Sequence, residues 1–253
     1  MDFTDKVVLL TGTNSGIGAT CAVHFARLSA KLAIVGDNAD EMRNIAAKIV
    51  SIKDVQPLVI VADVTVDAEA KKVVDDTLDA YGRIDILINN AGTGLSASLT
   101  DGVSNYDVIM NSSLRSLYVL TNYAIPHLIM ATGTIVNISS VASTLPEPEF
   151  LPYCMAKAAL DMFTKCLAKE FGIDGIRVNS VNPGPMKMVN DFGVKEDEIG
   201  TYHKKLVKKC PLGKIATNND VADLVTFLAS DKSKSITGGV HFVENGLLLG
   251  SLQ

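Results

Sequence analysis

The stretch Val7-Val8-Leu9-Leu10-Thr11-Gly12-Thr13-Asn14-Ser15-Gly16-Ile17-Gly18 decides how the chain is read. Four branched aliphatic residues in a row suit a strand covered on both faces. Three glycines follow, and then the apolar residues recur at helical spacing over 16–29. Gly12 permits a tight turn, Gly16 lets backbone amides approach a pyrophosphate, and Gly18 allows helix and strand to pack closely. The helix start adds unpaired N–H groups and the positive end of its dipole. A glycine triplet alone is weak evidence, but one set between a first strand and a first helix is the context of a dinucleotide site. Asn14, Ser15 and Ile17, lying between the glycines, are candidate contacts with them.

Outward from this turn, short apolar runs recur at 32–35, 58–62, 84–88, 134–138, 177–181 and 240–243. Between them lie segments of helical period at 39–53, 67–80, 103–130, 154–171 and 219–229. Strands alternating with helices imply βαβ units and a doubly wound α/β sheet with ligands at the carboxyl ends of its strands. No linker or repeat divides the chain, so 1–253 reads as a single domain. The charged interruption at 185–217 reads as a substrate flap within it.

Composition excludes several classes. The 253 residues carry 28 acidic and 23 basic side chains, a net charge of −5, which argues against a nucleic-acid binder. With 6% aromatic residues and no Trp, stacking platforms for bases are scarce. No apolar run is long enough to insert in a membrane, and residues 1–6 do not resemble a signal peptide. Cys21, Cys154, Cys166 and Cys210 show neither CxxC spacing nor a disulfide framework. A cytoplasmic protein is expected. No His/Cys/Asp cluster has metal-ligand spacing.

The glycine spacing is GxxxGxG, wider than the GxGxxG of the commonest Rossmann fingerprint. Asp63-Val64 follows the third strand, Asn89-Asn90-Ala91-Gly92 the fourth, and Asn111 lies in the long helix. Ser139-Ser140 follows the fifth strand, Tyr153-Cys154-Met155-Ala156-Lys157 comes next, Asn182-Pro183-Gly184 follows the sixth, and Pro211-Leu212-Gly213 comes after that. In this order the motifs resemble the short-chain dehydrogenase/reductase family from end to end. The resemblance implies a Rossmann-type sheet of seven parallel strands, an NAD(H) or NADP(H) cofactor, and commonly a homotetramer or homodimer.

Tyr153 and Lys157, four residues apart, project from one helix face. Pro152 suits a helix start and puts the phenol near the positive dipole end. A phenol is too weak an acid to shuttle protons freely at neutral pH, and an ammonium one turn away is expected to lower its pKa. The resemblance makes Ser140, thirteen residues before Tyr153, the catalytic serine that steadies the substrate oxygen, while Ser139 falls one place early. It likewise gives Asn111 the role of kinking its helix and holding a water linked to Lys157, which completes the catalytic set Asn111, Ser140, Tyr153 and Lys157. Lys157 and Tyr153 also count as cofactor contacts.

An acid at the end of the second strand binds the ribose diol of NAD and repels a 2′-phosphate. The family's position for it falls at Gly36, and Asp37 stands next, with no basic residue in Thr13-Asn14-Ser15. NAD(H) is therefore favoured over NADP(H), with a plain turn role for Asp37 as the alternative. Asp63 is expected to cap the adenine with Val64 packed on it, and Asn90, Ala91 and Gly92 to lie at the ribose. Pro183, Gly184 and Met186 are expected at the nicotinamide, where Met188 replaces a frequent Thr. The loop from Ser140 to Tyr153 holds Leu145, Phe150 and Leu151, which suit an apolar substrate, as do Met188, Val189, Phe192, Val194 and Tyr202 in the flap. The expectation is an oxidoreductase for a secondary alcohol or ketone on a steroid, isoprenoid or lipid-like body. The alternatives are a 3-oxoacyl-acyl-carrier-protein reductase using NADPH and a non-catalytic nucleotide-binding scaffold.

Overall fold

The computed structural model describes residues 1–53, 56–186, 204 and 206–250. Seven parallel strands, β1 (Val7–Thr11), β2 (Lys31–Gly36), β3 (Leu58–Val61), β4 (Ile86–Asn89), β5 (Thr134–Ile138), β6 (Arg177–Pro183) and β7 (Val240–Val243), form one sheet in the order β3-β2-β1-β4-β5-β6-β7. Every residue of β1, β4 and β5 is buried, as their unbroken aliphatic runs require.

Alternation along each strand divides the core into two layers. On one face Val8 and Leu10 pack against α1 (Gly16–Arg27), α2 (Ala39–Lys53) and α7 (Asn218–Ala229), through Phe25, Met42 and Val225. On the other, Leu9 and Val35 meet α3 (Asp67–Tyr81), α5 (Ser116–Ala131) and α6 (Leu151–Phe171), through Val73, Leu120 and Leu167. Local chemistry sets the ends. Gly82 closes α3 at φ +72°, and Thr217 and Asp220 cap the start of α7 reciprocally. The order of the strands reverses between β1 and β4, which opens a crevice at their carboxyl ends.

Two boundaries differ from the sequence reading. The helix expected over 103–130 is α4 (Val103–Met110), one π turn (Asn111–Arg115) and then α5. Apolar periodicity is nearly blind to a single added residue in a turn. Helix α6 begins at Leu151 instead of 154, because Pro152 falls in the first turn, where the missing N–H costs nothing. Most of the flap expected at 185–217 lies outside the described residues, as do Met188, Val189, Phe192, Val194 and Tyr202. Among the described residues no helix is long and apolar enough to cross a membrane.

A Cβ added at Gly18 would lie 2.0 Å from the carbonyl oxygen of Gly12. Gly18→Ala is expected to destabilise the fold by about 1–3 kcal/mol and to weaken nucleotide binding, measured by urea denaturation and by calorimetry.

Candidate active site

The glycine turn is clamped by the end of β4. Asn90 Nδ2 donates to the carbonyls of Thr11 (3.1 Å) and Gly12 (2.8 Å), and the Thr11 hydroxyl accepts the backbone amides of Asn90 and Ala91, each at 3.1 Å. A side chain at Gly12 would collide with this amide, since its Cβ would sit 2.7 Å from Asn90 Nδ2. Ser15 stands at the N-cap of α1 without a side-chain bond to the first turn, and a Cβ at Gly16 would meet nothing within 4 Å. Backbone amides at a helix start, beside clear space, fit the pyrophosphate of a dinucleotide.

At the end of β2 the Asp37 carboxylate accepts a hydrogen bond from Asn14 Nδ2. The lack of an acid at Gly36 has a steric reason: a Cβ there would stand 1.8 Å from Asn14 Oδ1. That oxygen is buried and has no partner among the described residues, an acceptor suited to a ligand hydroxyl. Asp63 is exposed and its Oδ1 accepts from the amide (2.9 Å) and hydroxyl (2.7 Å) of Thr65. Val64 departs from expectation. Its side chain is buried in the core with Val35 and Ile60, which leaves its backbone as what it can offer a ligand.

Further along the same edge of the sheet lies a cleft of about 190 Å³. Ser140, Tyr153 and Lys157 line it, facing Ile17, Asn90 and Gly92 from the nucleotide side and Pro183, Gly184 and Met186 from the end of β6. Thr93, Gly94, Ile138 and Ser139 complete the wall. Tight backbone packing fixes Gly184, whose amide donates to Val243 O at 2.9 Å and whose Cβ would meet that of Glu244 at 2.8 Å. The remaining expected contacts, Gly12, Asn14, Ser15, Gly16, Gly18, Asp37 and Ala91, belong to the turn and the β2 end rather than to this cleft.

The two serines differ. Ser139 Oγ turns inward to the Lys157 carbonyl at 3.3 Å, while Ser140 Oγ accepts the Ala142 amide at 3.1 Å and lies in the cleft with the Tyr153 phenol, whose pKa it draws down. Lys157 is only 4% exposed, and its Nζ donates to Ile138 O at 2.8 Å, 5.4 Å from the centre of the Tyr153 ring. Burial pushes the lysine down to about 8, against the charge of Asp161, which raises it. Burial also pushes the Tyr153 phenol above its usual value, outweighing the Ser140 hydrogen bond. The depression by Lys157 expected from sequence is not found. The ammonium is committed to the Ile138 carbonyl, and desolvation of the phenol dominates.

Asn111 opens the π turn, which packs against α6, but it is not part of the cleft wall. The residue in this turn that reaches the cleft loop is Ser113, missed from sequence. Its Oγ donates to Thr93 O at 3.0 Å and accepts the Thr93 amide at 3.2 Å. The adjoining polar residues Asn111-Ser112-Ser113 in an apolar helix were the available signal.

A family model described as enoyl-(acyl carrier protein) reductase matches residues 12–248. The chain is 34% identical to a 3-oxoacyl-[acyl-carrier-protein] reductase of Thermotoga maritima over 98% of this chain and 100% of that protein. A short-chain dehydrogenase/reductase of unknown function from Caenorhabditis elegans, solved with cofactor, superposes with a TM-score of 0.92 at 31% identity, covering 98% of this chain and 96% of that one.

The chain belongs to the short-chain dehydrogenase/reductase family.

Glucose dehydrogenase of Caenorhabditis elegans in its apo form is similar too, with a TM-score of 0.85 and 36% identity over 98% of this chain and 100% of that one. As a short-chain dehydrogenase/reductase, the protein is an NAD(P)-dependent oxidoreductase acting on alcohols and ketones, and it binds a nicotinamide cofactor.

Buried Lys157 has a measurable signature. Unfolded, it keeps its proton to about pH 10.5, and folded it loses it near 8. Between those values the unfolded chain binds more protons, so the lysine's destabilising effect is complete below pH 8 and is relieved as pH rises. Relative to Lys157→Met, the wild type is expected to gain about 2 kcal/mol between pH 7.5 and 9.5, read by urea denaturation across that window.

Proposed function

We propose that the protein transfers a hydride between NAD(H) and a secondary alcohol or ketone carried on a moderately hydrophobic body, of steroid, isoprenoid or lipid-derived kind. The observation that carries this reading is the meeting of Ser140, Tyr153 and Lys157 in one cleft, facing the end of β6. The glycine turn would hold the pyrophosphate, with Asn14 and Asp37 at the adenosine ribose, Asp63 and Val64 at the adenine, and Asn90, Ala91 and Gly92 further along. Pro183, Gly184 and Met186 would flank the nicotinamide, which when bound supplies or accepts the hydride.

The chain's own groups handle the proton. In reduction, Tyr153 Oη gives its proton to the carbonyl oxygen while Ser140 Oγ donates a hydrogen bond to the same atom. Because burial holds the phenol above its usual pKa, Tyr153 is protonated at neutral pH and ready for that direction, and alcohol oxidation quickens as pH rises. The Lys157 ammonium has three donors, of which Ile138 takes one, and the others suit a ribose diol. Asn111, at the π turn against α6, would steady the water side of the relay.

Among the described residues the Asp37 carboxylate meets a neutral amide and no cation, a setting that favours a ribose diol over a 2′-phosphate. The apolar character proposed for the substrate rests on a second groove of about 390 Å³. Leu99, Pro146, Pro148 and Leu151 wall it, and so does Cys154, the residue after Tyr153. Similarity to the Thermotoga maritima reductase favours a second reading, an acyl-carrier thioester reductase using NADPH. We place the protein as one domain in a homodimer or homotetramer, supported by the exposure of Leu99, Val103, Tyr118 and Met162 on and beside α4, α5 and α6.

Initial rates with panels of ketones, alcohols and acyl-carrier thioesters, each with NAD(H) and NADP(H), test the reading. The expected result is NAD(H)-dependent turnover of apolar ketones, with Tyr153→Phe binding nucleotide normally and losing about 10²–10⁴ in kcat. Activity confined to NADPH and thioesters would replace it with the second reading. Asp37→Arg is expected to shift preference toward NADPH, read as the ratio of kcat/KM values.

A further inference from the structure

Helix α6 reaches the cleft with two side chains one turn apart, and the mechanism uses only the first. Lys157 grips the last carbonyl of β5, and Asp161 lies behind it, 8% exposed. Its Oδ2 accepts from Asn182 Nδ2 at 2.9 Å, near the end of β6. The same Nδ2 faces the Ser140 carbonyl at 3.1 Å and the Ser143 hydroxyl at 3.0 Å, and Ser180 Oγ donates to the other end of the amide, Asn182 Oδ1, at 2.9 Å. One amide thus joins α6, β6 and the turn that starts with Ser140. The second oxygen of Asp161 is buried and without a partner among the described residues.

A buried carboxylate is costly, and an asparagine would serve equally well if only shape mattered. Ser180 holds the oxygen end of the Asn182 amide, and its nitrogen has two hydrogens and three acceptors around it, so how those hydrogens are shared is set by the strongest acceptor of the three. That acceptor is Asp161. Without it, the amide nitrogen is left to the two serines alone, and the turn of Val141–Ser143 loses its tie through Asn182 to α6. The charge of Asp161 also opposes the desolvation of Lys157, in keeping with this placement.

We propose that Asp161 is a positioning residue: through Asn182 it fixes the Ser140–Ser143 turn, and so aims the Ser140 hydroxyl across the cleft at Tyr153. The catalytic half of this statement rests on the oxidoreductase reading above, and the structural half does not.

Two measurements test it. In hydrogen exchange followed by mass spectrometry, Asp161→Leu is expected to speed exchange at least tenfold in residues 141–145 and to leave the strand and turn at 8–18 unchanged. In steady-state kinetics the same variant is expected to lose at least tenfold in kcat, with KM and nucleotide affinity within twofold. Asn182→Ala is expected to match it, the double variant to be no worse than either single one, and Asp161→Asn to fall in kcat by at least threefold. Should Asp161→Leu fail to fold, Asn182→Ala and Asp161→Asn carry both measurements. Unchanged exchange at 141–145, or kcat within twofold of wild type, overturns the proposal, as does multiplication of the two losses in the double variant. A wild type that turns over no compound in the panels overturns the functional reading, and the exchange experiment still decides the role of Asp161.

Discussion

Asn90 ties the end of β4 to the turn after β1, and the cleft depends on that tie. Where the strand order reverses, two chain ends leave the sheet in different directions, and their backbone groups lose ladder partners. Asn90 and Thr11 supply the missing partners to each other's strands, two bonds each way. Each such bond is worth only about 1 kcal/mol net. Their geometric effect is larger, because Gly12 and Gly18 are drawn so close to Asn90 and to each other that a Cβ at either would collide.

The other side of the cleft is built on buried polar groups. Asn89 Nδ2 donates to Thr121 Oγ1 and Asn137 Oδ1, and Asn137 Nδ2 passes on to Thr164 Oγ1, which links β4 and β5 to α5 and α6 just beneath the catalytic edge. These bonds tie together the layer that carries Tyr153 and Lys157, and they leave Asn89 Oδ1 buried without a partner among the described residues. The site's electrostatics then follow from desolvation more than from pairing. Both groups are held closer to neutrality than in water, the amine by losing affinity for its proton and the phenol by keeping it.

The sheet was legible because its strands are aliphatic on both faces and are punctuated by glycine and proline, so β5 and β7 fall on the very residues expected. Ser140, Tyr153 and Lys157 were legible through spacing along the chain. Burial was not. Val64 looks from its motif like a ligand contact through its side chain, yet the turn that follows β3 packs that side chain into the core. The pKa of Tyr153 was misjudged for a related reason, since a four-residue spacing says that an amine is near and nothing about what that amine donates to. Periodicity alone ran one helix through the π turn, because one extra residue barely disturbs an apolar stripe; the kink implied by the family resemblance at Asn111 is where the turn begins, and only the Ser113–Thr93 clamp went unforeseen.

The crowding of Gly36 by Asn14 makes these two positions interdependent. An acid introduced at 36 alone would have no room for its first carbon, and shortening Asn14 alone would strip Asp37 of its amide. The end of β2 thus behaves as one unit of three residues, in which a larger side chain at 36 has to be accompanied by a change at 14, and a change at 14 is felt at 37.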